Sequence, residues 1–324
     1  MKRLLYLTWD APDAPYLEGL FFPIFEGLRR FGVETHVVQF SWSVEAFRAR
    51  IAAEASRRAL GYTCVAIPRR PLVAATALAI TGGALRVSQL ASRWRADAVM
   101  ARSHLPAAIA LASRRRAGPR LYWDSDGLMP DERVDFGGWS PRGPTYGAFR
   151  AIERTMVRSA EVVLTRTRGA AALLASRSAR PGGAFRVVPN GRDPMLFSPG
   201  TDEERAALRR RLSVDDDAPL LVHSGSLGPQ YEPASMFRVF SAVLRRAPRA
   251  RLLLLTGALD EARRLAAATD LPPASVLFQR ASPDEVPAFL QPCDAGFAFR
   301  RPTLSQRGVS PLKVAEYLLC GVPV

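Results

Sequence analysis

The sequence predicts an α/β protein built from two Rossmann-like, doubly wound domains in tandem. Three observations carry that expectation. Short apolar runs alternate with longer amphipathic stretches, as strands and helices do when they stack into parallel sheets. The alternation halts at "NGRDPMLFSPGTDEE" (190–204), where Gly, Pro and polar residues break the rhythm like a connector. It then restarts and continues to residue 324, a length comfortable for two domains. The boundaries are expected at 1–198 and 199–324.

In the first domain, strands are expected at 3–8 ("RLLYLT"), 33–40, 62–67, 97–101, 120–123, 161–165 and 185–189. Helices are expected near 17–31, 43–60, 71–95, 104–117, 145–160 and 168–178. The second domain repeats the pattern with strands at 219–224, 251–257, 275–279 and 294–299 and helices near 233–246, 258–268 and 283–291. In such sheets ligands collect outside the carboxyl ends of the strands, so the functional residues are sought there.

Composition narrows the class. Hydrophobic residues make up 48% of the chain, enough for ample cores. The three cysteines, Cys64, Cys293 and Cys320, have no metal-ligand spacing and read as reduced buried thiols of a cytosolic protein. The start, "MKRLLYLTWDAP", is interrupted by Asp10 and Pro12 too early for a signal peptide and reads as a first strand. The apolar stretch 71–85 falls short of the roughly 20 residues a span requires, so no membrane crossing is expected.

Net charge is +15, and it is unevenly placed. Residues 1–198 hold 29 Lys+Arg against 16 Asp+Glu, while residues 199–324 hold 16 against 14. A basic first half fits an anionic partner. No interleaved aromatic platform supports nucleic acid. The segment 67–95, apolar in the middle with arginines at both ends and Trp94, has two readings: a helix lying on an anionic bilayer, or one packed on the first sheet.

The final segment, "GVSPLKVAEYLLCGVPV" (308–324), carries the chemistry. Ser310 reads as an N-cap, Pro311 as the first helical residue, Gly321 as the stop and "VPV" as the start of a strand. Lys313 then occupies the first turn, where the helix dipole disfavours a cation. The placement makes sense if a phosphate meets both the ammonium and the unpaired N–H groups. Glu316, one turn later, is suited to accept two hydrogen bonds from a vicinal diol such as a ribose. A surface Lys313–Glu316 pair remains the alternative.

The stretch "RPTLSQRGVSPLKVAEYLLCGVPV" resembles the donor-nucleotide motif of retaining glycosyltransferases of family four, in the branch carrying Ser-Pro-x-Lys-x-x-Glu-Tyr. "ADAVMARSHLPAAIA", "PDERVDFGGW", "AIERTMVRSAEVVLT", "VVPNGRDPMLFSP" and "HSGSLGPQYEP" are similar to further segments of that family in the same order. The resemblance implies a GT-B fold, a nucleoside-diphosphate sugar as substrate, and no metal or other cofactor. It implies that Glu316 binds the ribose, and that Lys313 with the backbone from Gly308 through Ser310 to Leu312 holds the diphosphate. Gly225, Ser226 and Gly228 would let the backbone approach it, and Arg301 would add charge. Where the wider family places a second glutamate this chain has Gly308, and "GPQYEP" lacks the usual Arg and Lys. The resemblance also implies further strand–helix units after "GVPV", so the second domain is expected to be truncated.

"LYWDSDGLMPDE" (121–132) resembles the loop at which many family members place a histidine near the anomeric carbon; here Asp124 stands there. Asp124 is expected to be ionised without any pKa shift and to stabilise oxocarbenium-like charge or orient an acceptor hydroxyl. The same loop can be read as a GT-A metal clamp, a Mg-dependent phosphatase nucleophile loop or a structural cap. Arg102, His104, Asp126, Arg166 and Arg168 follow strand ends, and the first four are taken as acceptor-side candidates. His36 and His223 read as structural. The function expected is transfer of a hexosyl group, with retention, to a glycan or lipid-linked acceptor in polysaccharide biosynthesis. It is placed in the cytoplasm or peripherally on the inner membrane face. The alternatives are a sugar-nucleotide epimerase of the same architecture, an inactive fragment, and, remotely, the phosphatase.

Overall fold

The computed structural model describes residues 1–11, 16–42, 45–68, 70 and 72–324, with the side chain of Leu72 excepted. Pro12, Arg69 and the expected helix starts at 43 and 71 lie outside the described residues. Two compact units divide the chain: Met1–Pro189 with Arg307–Val309, and Asn190–Gln306 with Ser310–Val324.

The first unit is a seven-stranded, wholly parallel sheet in the order β3-β2-β1-β4-β5-β6-β7. Its strands are β1 (Lys2–Trp9), β2 (Val33–Ser41), β3 (Gly61–Ala66), β4 (Ala98–Arg102), β5 (Arg120–Asp124), β6 (Val162–Thr165) and β7 (Phe185–Val187). Between them lie α1 (Phe22–Leu28), α2 (Glu45–Arg57), α3 (Leu72–Arg93), α4 (His104–Ser113), α5 (Met129–Phe136), α6 (Pro144–Ser159) and α7 (Arg168–Ser178). The period-2 geometry of β1 explains the double winding. Leu5 and Leu7 enter one core with Phe40, Ile109 and Trp123, while Tyr6 enters the other with Phe21, Phe25 and Ile51. The strand order turns back between β1 and β4, and that switch point sets where side chains at the strand ends converge.

The second unit repeats the design with four parallel strands in the order β10-β9-β8-β11. These are β8 (Leu220–Ser224), β9 (Arg251–Leu255), β10 (Val276–Gln279) and β11 (Ala295–Gly296), with α8 (Asp202–Arg211), α9 (Pro233–Arg246), α10 (Leu259–Ala267), α11 (Val286–Leu290) and α12 (Leu312–Leu319). Leu220 and Val222 face one core, Leu221 the other.

Several expectations are corrected. Residues 17–31 are not one helix: a π-helical turn at Leu17–Phe21 precedes α1 and a 3₁₀ turn at Arg29–Phe31 follows it. The supposed connector contains α8, opened by a capping box in which Thr201 and Glu204 bond reciprocally. The division falls at 189/190 rather than 198/199, because Phe197 is buried in the second unit's core and Asn190 Nδ2 donates to the Ser310 carbonyl at 2.9 Å. Strand 294–299 shrinks to β11, and Val322–Val324 forms no strand; a single bond, Gly296 N to Pro323 O at 2.7 Å, joins them. Cys293 and Cys320 are buried as expected, whereas Cys64 on the edge strand β3 is half-buried.

α3 runs 22 residues within the expected 71–95, and although the apolar stretch 71–85 was expected to be too short, by length and composition alone the helix is long and apolar enough to cross a membrane. One face packs on the sheet: Ala75, Ala79, Ala84, Val87 and Ala91 are buried. A Cβ at Gly83 would come 2.9 Å from Phe40, so glycine there lets the helix approach β2.

Candidate functional site

In the second unit the site is assembled by β8 and α12. Gly225 follows β8 with φ of 99°, a left-handed geometry that favours glycine. The Tyr317 hydroxyl accepts from Ser224 N at 2.7 Å and donates to the Phe297 carbonyl at 3.4 Å, tying α12 to the end of β8. Its ring occupies the space a side chain at Gly296 would need.

The N-cap of α12 is Pro311, not Ser310, so Lys313 is the second helical residue; Ser310 instead offers its carbonyl to Asn190. Lys313 is buried, at 7% exposure. Its ammonium lies 4.3 Å from the Tyr231 ring centre and 3.3 Å from His223 Nε2. A Cβ on Gly225 would sit 3.8 Å from Nζ, which puts the glycine turn directly beside the cation. Burial, reinforced by the Arg300 charge and opposed by Glu316, lowers its pKa to about 7. Burial and then Lys313 hold His223 at about 4, so its imidazole is neutral. His223 Nε2 is also 3.1 Å from the Ser226 carbonyl. If Nε2 carries the proton it donates to Ser226; if it does not, it accepts from Lys313.

Glu316 is buried at 6% exposure and gripped by Arg192, whose Nε and Nη2 both reach Oε1, at 2.7 and 2.6 Å. Oε2 is the oxygen left to accept from a ligand. Gly228 is half-buried, and Ser226 and Gly225 are exposed. Arg301 is exposed and its charge is engaged by Glu232 at 2.9 Å.

In the first unit a chain of alternating charges gathers where β1, β4, β5 and β6 end. Asp10 pairs with Arg102 at 2.9 Å, Arg102 with Asp126 at 2.6 Å, and Arg166 with Asp124 at 2.5 Å and Asp126 at 3.6 Å. Only Asp126, with 28% of its side chain exposed, is open to solvent to any extent; the other four are at 10% or less. Ser103 and Asp126 hold φ of 63° and 52°, strain concentrated at these strand ends. Asp124 is not the unperturbed acid expected: burial raises its pKa, and Arg166 opposes that rise. The Tyr6 hydroxyl beneath is buried without a hydrogen-bond partner, and burial followed by Asp124 raises its pKa well above the usual value.

His104 does not join this cluster. Its ring is wholly buried, edge-on to Trp123 at 5.6 Å and 3.6 Å from Glu153, and burial lowers its pKa to about 3. Gly308, counted with the first unit, abuts Leu128: an added Cβ would lie 2.9 Å from Leu128 Cγ. A glutamate has no room there. Sequence reasoning missed Arg192, Tyr231, Arg300 and Asp10. Asp10 carried a signal, an acid closing the first strand at its carboxyl end; the other three are remote in sequence from the side chains they serve.

Comparisons with known proteins agree with this frame. The profile described as "Glycosyl transferase 4-like domain" matches residues 23–191, just over half of the chain. A Corynebacterium glutamicum protein named GDP-mannose-dependent monoacylated alpha-(1-6)-phosphatidylinositol monomannoside mannosyltransferase is 29% identical over 87 residues, 27% of this chain and 23% of that protein. A Stackebrandtia nassauensis D-inositol 3-phosphate glycosyltransferase is 30% identical over 109 residues, 32% of this chain and 24% of that protein. The matched stretches thus span about a quarter of either relative. Among solved structures, Anabaena HepE in complex with UDP superposes with a TM-score of 0.68 at 16% identity, covering 100% of this chain and 80% of that one. A glycosyltransferase from Rickettsia africae gives 0.72 at 12% identity, covering 99% and 78%. A UDP-N-acetylglucosamine 2-epimerase gives 0.55 at 12%, covering 91% and 73%. These structural likenesses establish the α/β fold with two parallel sheets; the profile match establishes more, that the chain belongs to the glycosyl transferase 4-like family.

Proposed function

We propose that this chain moves a hexosyl group from a nucleoside-diphosphate sugar to a glycan or lipid-linked acceptor, with retention at the anomeric carbon and without a metal. The observation that carries the reading is Lys313: a buried ammonium beside the Gly225 turn, with the Arg192-held carboxylate of Glu316 one turn behind it. Burying that cation costs stability, and an arriving diphosphate offsets the cost by supplying its counter-charge. Glu316 Oε2 would accept from the ribose hydroxyls. The names of the curated relatives and the UDP held by HepE point the same way.

In this reading the bond between the anomeric carbon and the phosphate oxygen breaks while the acceptor oxygen approaches from the same face. The acceptor proton passes to the departing phosphate, leaving a nucleoside diphosphate and the glycoside. Charge builds on the leaving phosphate, and Lys313 stabilises it. Asp124 and Asp126, fixed by Arg166 and Arg102, would orient the acceptor hydroxyl. The reaction is placed in the cytoplasm, in the assembly of a polysaccharide.

The test is a thermal-shift screen with UDP-, GDP- and ADP-sugars, followed by product analysis with and without acceptors. One nucleotide should raise the melting temperature, since a ligand at about 100 times its Kd stabilises by about 2.7 kcal/mol. No shift with any of them would remove the donor assignment. An epimerised sugar formed without acceptor would replace transfer by epimerisation.

A further inference from the structure

The two faces of α3, the helix within segment 67–95, are unlike. While one side of α3 packs on the sheet, Val73, Leu78 and Leu85 stand 84%, 66% and 62% exposed on the other. Ala74, Leu78, Thr81, Leu85 and Ser92, all exposed, succeed one another at steps of four, three, four and seven residues, a single outward stripe. The apolar surface continues toward edge strand β3 through a groove of about 370 Å³ lined by Val65, Ile67, Pro68, Leu78 and Gly82, with Arg86 among its walls.

Positive charge predominates around this surface. Residues 67–96 contain five arginines and neither Asp nor Glu. Arg70, Arg86, Arg93 and Arg95 are exposed, and so are Arg114, Arg115 and Arg116 just past the end of α4. Arg95, Arg114 and Arg115, with Asp97 as the one acid, line a cavity of about 410 Å³ between the ends of α3 and α4. It opens at the starts of β4 and β5, the end of the sheet opposite the Asp10–Arg102 cluster.

We propose that this face of the first unit docks on an anionic lipid bilayer. The outward apolar side chains of α3 would enter the headgroup boundary, and the flanking arginines would meet lipid phosphates. Charge complementarity selects this occupant. A second copy of the chain would set arginines against arginines, and a nucleic acid would leave the Ala, Val and Leu stripe against phosphates with nothing to stack. The inference is independent of the donor assignment, because binding to vesicles needs no nucleotide.

The test is co-sedimentation of the full chain with vesicles of phosphatidylcholine alone and of phosphatidylcholine doped with phosphatidylglycerol. Binding should occur only to the anionic vesicles and weaken at high salt. Each arginine near such a surface contributes roughly fivefold in affinity, so Arg86→Gln, Arg93→Gln and Arg114→Gln together should lower binding on the order of a hundredfold. Leu78→Gln with Leu85→Gln should lower it about tenfold or more by removing inserted apolar surface. Both variants should keep the melting temperature, since all five side chains face outward. Equal binding to neutral vesicles, or unchanged binding by either variant, overturns the proposal. So does a dimer in solution that either variant dissociates, which would make the occupant a second copy.

Discussion

The Lys313 ammonium sits 4.3 Å from the centre of the Tyr231 ring, and the same ring lies 4.8 Å from the Arg300 guanidinium. A π system so loaded helps hold two cations of like sign close together, an arrangement that is costly until an anion arrives. Burial first, and then the Arg300 charge, lower the pKa of Lys313 to about 7.

A pH dependence follows. The unfolded lysine holds its proton to about pH 10.4, whereas the folded one releases it near 7. Between those values the unfolded chain binds more protons, so stability of the second unit rises with pH from about 7 to about 10.4. Lys313→Met should therefore raise the melting temperature at neutral and acid pH, abolish the rise, and depress turnover by about 10²–10³. Nucleotide affinity of the unmodified protein should fall above pH 7 as the free amine loses its charge. Calorimetry and titrations at pH 6, 7.5 and 9 check this; a Met variant that is less stable at pH 6 contradicts it.

Arg192 and Glu316 make a second case. Arg192→Leu frees the buried Glu316 carboxylate from its guanidinium clamp, two contacts of 2.6 and 2.7 Å on one oxygen. Losing a charge-assisted bond of this kind is worth about 1.5–3 kcal/mol. Nucleotide Kd should rise by roughly ten- to a hundredfold on that account. Glu316→Gln should do the same with a smaller loss of stability, because the amide still accepts from Arg192. Titration calorimetry with the nucleotide found in the donor screen decides; unchanged Kd in both variants detaches Glu316 from the ligand.

Asp124→Asn separates positioning from donor binding. The change keeps shape and removes the charge that Arg166 meets at 2.5 Å. Turnover should fall by about 10²-fold or more, with nucleotide Kd unchanged, since Asp124 belongs to the first unit and Lys313 to the second. Arg166 would keep only Asp126, at 3.6 Å, so the melting temperature should drop as well, the loss being smaller than the roughly 3–5 kcal/mol incurred when a buried charge is left alone. Arg166→Met with Asp124→Asn, which removes both charges, should recover part of that stability without recovering turnover.

Local pattern announced most of the architecture because parallel strands buried on both faces must be apolar throughout. β1 and β8 read as such runs, and α9 as a strongly one-sided helix. What stayed hidden was decided by partners distant in sequence. The expected connector hid α8 because its charged helix, DEERAALRRR, has little apolar periodicity, although the Thr201–Glu204 cap was there to be read. Asp124 looked like an ordinary acid because burial is not written in a loop's composition. His104 looked like a strand-end ligand, yet its ring turned into the core against Trp123.

By itself, the order of residues determined the parallel α/β architecture, the basic first half and the presence of a lysine and a glutamate one turn apart in the last helix. Periodicity and charge are local properties, and a chain displays them before it folds. Only the tertiary structure decided that Lys313 is desolvated against Tyr231 and His223, that Arg192 holds Glu316, and that α3 turns one apolar face outward. Desolvation and pairing depend on which distant side chains arrive at the same place, and that is settled by how the strands are ordered in the sheet.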